Sequence, residues 1–231
     1  MINRLAGIGR VEAYGSVLRP SELDSWSDLD VRIALTAPID IAVLGLDELW
    51  SWQDIHGESG QTLRLVLVDG RRIDLSVSSP ADRSATGSES TPANKPMIIM
   101  PTPASDNQLR FDAALAASRY GRGNQLIGLH LTLDILREAL VVAMLLRDRA
   151  EGTDHHRVGG EFEDRAAEVT KIISESDPHR RPTIVERSCE LYGRWRSELE
   201  ENYRPDWSGL SAVIDLGTGR SVNRRTDHDH E

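Results

Sequence analysis

The chain has one cysteine, Cys189, in 231 residues. A single thiol closes no internal disulfide, and this usage fits a reducing cytoplasm. Lysine is nearly missing: Lys95 and Lys171 are the only two, and arginine carries the rest of the basic charge. Basic charge is also in deficit, with a net charge of −10. That leaves no surplus for a broad nucleic-acid surface; it suits a cationic small molecule, and it equally suits plain solubility. No apolar run approaches the roughly 18 residues of a membrane span; the longest, Leu140 to Leu146, is far shorter. The opening MINRLAGIGRVEAYG has no apolar core of a signal peptide. What is present, 39% apolar and 28% charged residues, is the composition of an ordinary soluble globular protein. The length suits one large domain or two modest ones.

The first 80 residues read as mixed α and β. RVEAYGS is a short strand running into a turn at Gly15-Ser16, and DLDVRIAL alternates as a half-buried strand does. APIDIAVLGLDELWSWQDI reads as a helix, with Leu44, Leu46, Leu49, Trp50 and Ile55 near one face. QTLRLVLVDGRRIDLSVS holds two alternating runs around Asp69-Gly70, a strong hairpin signal. Residues 80–108 are rich in Ser, Thr, Pro and Gly and read as a linker or surface loop. Beyond them the apolar spacing is helical: NQLRFDAALAASRYGRGNQ, then QLIGLHLTLDILREALVVAMLLRDRAEG, with Gly152 as its stop. Two further helices follow, one ended by Pro178 and one begun near Pro182, then a last turn in SGLSAVIDLG. The polar tail reads as disordered.

The most informative stretch is GSVLRPSELDSWSDLDVRI. Asp28 and Asp30 stand two apart at the start of a strand, so their side chains share a face. Carboxylates are depleted in strands, and neighbouring like charges repel. The pattern asks for a cation between them. Asp74, in RRIDLSVS, lies on a later strand of the same expected sheet. Gly15 allows close backbone approach, and exposed amides with the Ser16 hydroxyl can hold a phosphate. Mg²⁺ takes carboxylate oxygens and keeps positions for phosphates. Two such ions about 4 Å apart can clamp an in-line phosphoryl displacement. These are the parts of nucleotidyl transfer.

Gly-Ser, a spacer, Asp-x-Asp and a third Asp on a following strand resemble the signature of the DNA polymerase β-like nucleotidyltransferase superfamily. A further likeness is to the aminoglycoside 6-adenylyltransferases, over roughly residues 11–150. It includes MIIMPTPASDNQLRFDAALAAS and LTLDILREALVVAML as well as the two Asp motifs. The resemblance implies an α+β fold: an N-terminal nucleotidyltransferase domain with a mixed β-sheet flanked by helices, then a C-terminal all-α domain. The expected bounds are 1–100, 101–218 and a tail at 219–231. It implies that Gly15 and Ser16 hold a nucleotide phosphate. Asp28, Asp30 and Asp74 would bind Mg²⁺, with Asp74 as third ligand or general base. ATP would be the co-substrate and an aminoglycoside-like cation the acceptor, in a monomer or homodimer of the cytoplasm, with no nucleic acid and no membrane as partner. Where the family has a Glu facing the active site, the best pairing gives Asn124 or Gln125, and an amide takes no proton from a hydroxyl. Two other readings stay open: modification of a partner protein or RNA, and a nucleotide-binding relative without turnover.

Other candidates have plainer explanations. Asp69 fits the hairpin turn. Asp154 to His156 and the terminal DHDHE lie in polar stretches without a second ligand pair. Arg149 and His155 resemble the Arg-x(4–6)-His motif of HEPN ribonucleases, but Gly152 interrupts the helix between them. His130 sits on an apolar helix as a core or interface histidine. Asp134 and Glu138, four apart, share a helix side that could hold a polycation or simply face water. Tyr192, Trp195 and Trp207 read as core.

Overall fold

The computed structural model describes residues 5, 7–19, 21, 23–45, 48–57, 60–78, 106–153, 161–175 and 182–220. Residues 80–105 of the expected linker, Asp154 to His156 and residues 221–231 lie outside them, while 106–108 belong to the first helix. Among the described residues the strands are β1 (Val11–Ala13), β2 (Leu29–Ala34), β3 (Leu49–Gly57), β4 (Gly60–Leu67) and β5 (Arg72–Ser78). The helices are α1 (Asp106–Gly121), α2 (Gln125–Glu151), α3 (Asp164–Ser174), α4 (Pro182–Leu199) and α5 (Ser208–Gly217). The sheet order is β1-β2-β5-β4-β3. Only β2 and β5 run parallel, so the sheet is mixed and the fold is α+β. No helix among the described residues is long and apolar enough to cross a membrane.

The β4–β5 hairpin forms where Asp69-Gly70 predicts it. Gly70 has φ +86°, a conformation natural to glycine. The Asp69 carboxylate accepts the Arg71 amide at 3.1 Å. A Cβ on Gly70 would also stand 2.4 Å from the Ala212 backbone, so the hairpin tip lies directly on α5.

The helix expected over residues 37–55 is not formed. A single 3₁₀ turn, Ile41–Leu44, is capped by the Asp40 carboxylate accepting the Ala42 amide, and Gly45 at φ +85° ends it. The chain then enters β3. Two features override the helical spacing. Gln61 on β4 donates to the Ile39 carbonyl and accepts its amide, at 2.9 and 2.7 Å, fixing the incoming chain in extended form. A bulge between Leu49 and Ser51 breaks the strand alternation and turns Trp50 toward the helices. Trp50 packs so closely on α5 that a Cβ at Gly209 would lie 2.2 Å from its ring.

One face of the sheet is apolar. Val31, Ile33, Leu63, Leu65, Ile73, Leu75 and Val77 bury there with Leu5, Ile39 and Leu44. The helices build a second core around Leu136, Val142, Tyr192 and Trp195. Trp50 and Val66 of the sheet join that core, so sheet and helices pack directly together. Ala113, Ala114, Ala116 and Ala117 give α1 a slim surface that admits its neighbours closely. Tyr192 and Trp195 are 0% and 1% exposed, core residues as expected, and burial pushes the Tyr192 phenol up to about 12. Cys189 is buried too, with its thiol raised by burial, so it stays protonated. β3 is an edge strand, and α1 closes part of it. Asn107 accepts the Trp52 amide and donates to the Trp52 carbonyl, as a neighbouring strand would.

Candidate active site

Alternation decides which side chains meet on the open face of the sheet. Where β2 and β5 place hydrophobic residues inward, the residues between them point the other way. Asp30 stands opposite Asp74 across the parallel β2–β5 pair, and Asp74 stands opposite Arg64 across β4–β5. One row therefore reads Arg64–Asp74–Asp30 over three strands. Asp28 enters from the residue before β2, and Arg72 lies two residues ahead of Asp74 on the same side. The two Asp motifs, far apart in the chain, thus meet at one place.

The 3₁₀ turn Gly15–Leu18 lies against this row. The Tyr14 amide donates to the Asp30 carbonyl at 3.0 Å, holding the turn to β2. Gly15 has φ +68°, and a Cβ there would fall 2.3 Å from the Asp30 carboxylate. Both facts require glycine. Ser16, half-buried, follows in the same turn.

Electrostatics confirm the crowding of acids. Asp74 is held above the usual carboxylate range, first by burial and then by the Asp28 charge, with Asp30 adding to it. Arg64 and Arg72 pull the other way and do not win. Arg64 approaches Asp74 at 3.6 Å. Arg72 is itself lowered, chiefly by burial, although Asp28 and Asp74 oppose that. A further cation near these carboxylates would offset the part of that rise due to Asp28 and Asp30.

Asp28, Asp74, Arg64 and Arg72 open on a cleft walled on its far side by Phe111, Leu115 and Arg119 of α1. Its free volume is about 50 Å³, room for a few waters and not for a nucleotide. Asp30 is not among the cleft's lining residues. Among the described residues, no group of three acidic, histidine or cysteine side chains has the closeness of a finished metal centre. The donor chemistry nonetheless suits Mg²⁺, since all three groups are hard carboxylates.

The other sequence candidates lie elsewhere. Glu138 is only 8% exposed and pairs with Arg137 at 2.9 Å, while Asp134 meets His130 at 3.6 Å. They form no open acidic face for a polycation. Asn124 and Gln125 are exposed at the α1–α2 junction, away from the cleft lining. Arg149 donates to the Glu198 and Leu199 carbonyls at 2.7 Å, capping the end of α4. Its expected partner His155 lies outside the described residues. Arg64, Arg72 and Arg119 escaped the sequence reading. The first two were detectable, because each sits an even number of residues along a strand whose other face is apolar.

No family model matches the chain, and comparison with curated proteins gives no match.

Proposed function

We propose that this chain is a Mg²⁺-dependent nucleotidyltransferase that moves AMP from ATP to a hydroxyl of a cationic, aminoglycoside-like small molecule. The observation that carries the reading is the register of β2 on β5. It sets Asp30 beside Asp74, with Asp28 next to them and Gly15 against Asp30. In this reading Asp28, Asp30 and Asp74 would hold Mg²⁺, which supplies charge neutralisation at the phosphates. Gly15 and Ser16 would hold a phosphate through the turn's amides and hydroxyl. Arg64, Arg72 and Arg119 line the cleft and suit the remaining triphosphate charge.

The acceptor oxygen attacks the α-phosphorus as the bond to the β-phosphate oxygen breaks. Pyrophosphate leaves, and the acceptor proton passes to a carboxylate. Asp74 suits that role, because burial and its acidic neighbours raise its proton affinity. Most of the rate comes from positioning and charge stabilisation.

A second reading keeps the fold and ATP binding without turnover. It is favoured by the small cleft, by Arg64 standing where a cation on Asp74 would sit, and by the absence of a base from Asn124 or Gln125.

Pyrophosphate release with ATP and Mg²⁺ over a panel of aminoglycosides tests the proposal. Acceptor-dependent release is expected, reduced about 100-fold or more in Asp28→Asn and Asp30→Asn. Unchanged release in both variants rules out the metal assignment. Mg²⁺-dependent ATP binding with no release for any acceptor selects the second reading.

A further inference from the structure

The residues just before Asp28 are held by the helical part of the molecule. Trp26 is half-buried and packs against the helical core. Its ring stands between the last residues of two helices, Gly121 of α1 and Gly217 of α5. A Cβ on Gly121 would lie 2.0 Å from the indole, and one on Gly217 would lie 2.3 Å from it. Neither glycine has a positive φ. Backbone conformation therefore does not require glycine at either position; room for the ring does.

Polar anchors fix the same loop on every side. The Ser25 hydroxyl donates to the Gly217 carbonyl at 2.5 Å. Arg122, at the α1–α2 junction, donates to both Asp24 oxygens at 3.2 Å and to the Ser27 hydroxyl at 3.0 Å. Inside the loop, the Asp24 carboxylate accepts the Trp26 amide at 3.0 Å and the Ser27 hydroxyl at 2.9 Å. Arg72 of β5, the neighbour of Asp74, donates to the Trp26 carbonyl. The loop is thus tied to α1, α5 and the strand that carries the third carboxylate. Asp28 is two residues beyond the wedged ring.

We propose that Trp26 is a positioning residue: seated in the Gly121–Gly217 slot, it fixes where the Asp28 carboxylate stands, so the helical part sets the geometry of the carboxylate site. This rests on the reading of Asp28 as a metal ligand only for its consequence, not for the placement itself. The slot can be filled without touching the site. In Gly217→Ala the new methyl group enters the indole's space, and Trp26 must leave. In Trp26→Ala the wedge is gone, whereas Trp26→Phe keeps a planar ring in the slot.

The experiment has two arms on the full chain, with the melting temperature followed for every variant. In the first, Mg²⁺ alone is titrated calorimetrically. Gly217→Ala and Trp26→Ala are expected to weaken binding at least 10-fold, and Trp26→Phe by less than 3-fold. Gly217→Ala added to Asp28→Asn should change nothing further. In the second, amide NMR spectra are compared without metal. The Asp28 and Leu29 resonances should move in Gly217→Ala, while Ile33 and Leu75 stay in place. A lower melting temperature with Mg²⁺ affinity and the Asp28 resonance both unchanged would make Trp26 a mere anchor and overturn the proposal. If wild-type chain binds no Mg²⁺ but the Asp28 resonance moves, positioning stands and the nucleotidyltransferase reading falls.

Discussion

Asp74→Asn should lose about 10³-fold in pyrophosphate release and yet melt at a higher temperature at pH 7. The loss follows from removing a group assigned as base and metal ligand. The gain follows from the charge arrangement. Burial, Asp28 and Asp30 all oppose the ionised form of Asp74, against the pull of Arg64 and Arg72. Its folded pKa therefore lies above its ordinary 3.8. For a raised acid, the fold binds the proton more tightly than the unfolded chain does. Stability is lost as pH rises through the folded value and stays lost above it. An isosteric amide avoids that penalty. A rise in melting temperature is expected, read on a scale where each ~1 kcal/mol moves a chain of this size by about 2–4 °C. The gain should shrink as the pH is lowered through the folded value and vanish below 3.8, where Asp74 is protonated in both states. Mg²⁺ should reverse the ranking by stabilising wild type and not the variant. Scanning calorimetry between pH 4 and pH 7.5, with and without Mg²⁺, checks all three. A lower melting temperature at pH 7 would mean that attraction to the arginines exceeds the repulsion.

Gly15→Ala carries the second large effect. At φ +68° an L-residue is strained by about 1–2 kcal/mol. The added methyl would also stand 2.3 Å from the Asp30 carboxylate, well inside contact distance. Either the turn lifts or Asp30 rotates, and both spoil the site. A displacement of about 1 Å can cost roughly 10²-fold in rate. Pyrophosphate release should fall by that amount, and the melting temperature by about 2–8 °C. Gly70→Ala is the control. It also has a positive φ and meets the Ala212 backbone at 2.4 Å, so it should destabilise comparably. Measured well below both melting temperatures, it should retain kcat. Equal loss of kcat in both variants would show that destabilisation, not the Gly15–Asp30 contact, accounts for the effect.

The carboxylate row was legible in the sequence because two local rules reinforce each other. Period-2 alternation puts Asp28 and Asp30 on one face, and Asp69-Gly70 sets the hairpin that delivers Asp74. Sequence patterns do not give the order in which strands pair, and the parallel β2–β5 contact is what turns two motifs into one site. Residues 37–55, which include most of β3, match helical spacing in the sequence because the bulge interrupts the alternation that identifies a strand and the leucines before it fall at helical intervals. Trp26 gave no periodic signal. It sits in a loop, and its slot is made by two glycines that become neighbours only when α1 and α5 pack. Glu138 shows the converse. Its spacing from Asp134 suggested an open acidic face, but α2 rotates it inward, where Arg137 takes it up.

Asp28, Asp30 and Asp74, set against the Gly15 turn, are proposed as a site for Mg²⁺ and a nucleoside triphosphate. Calorimetric titration with α,β-methylene-ATP, which cannot turn over, tests it most directly. Binding is expected to require Mg²⁺, to disappear with a chelator and to weaken at least 10-fold in Asp28→Asn. Binding that is indifferent to Mg²⁺ and to Asp28→Asn, or no binding at all, would contradict it.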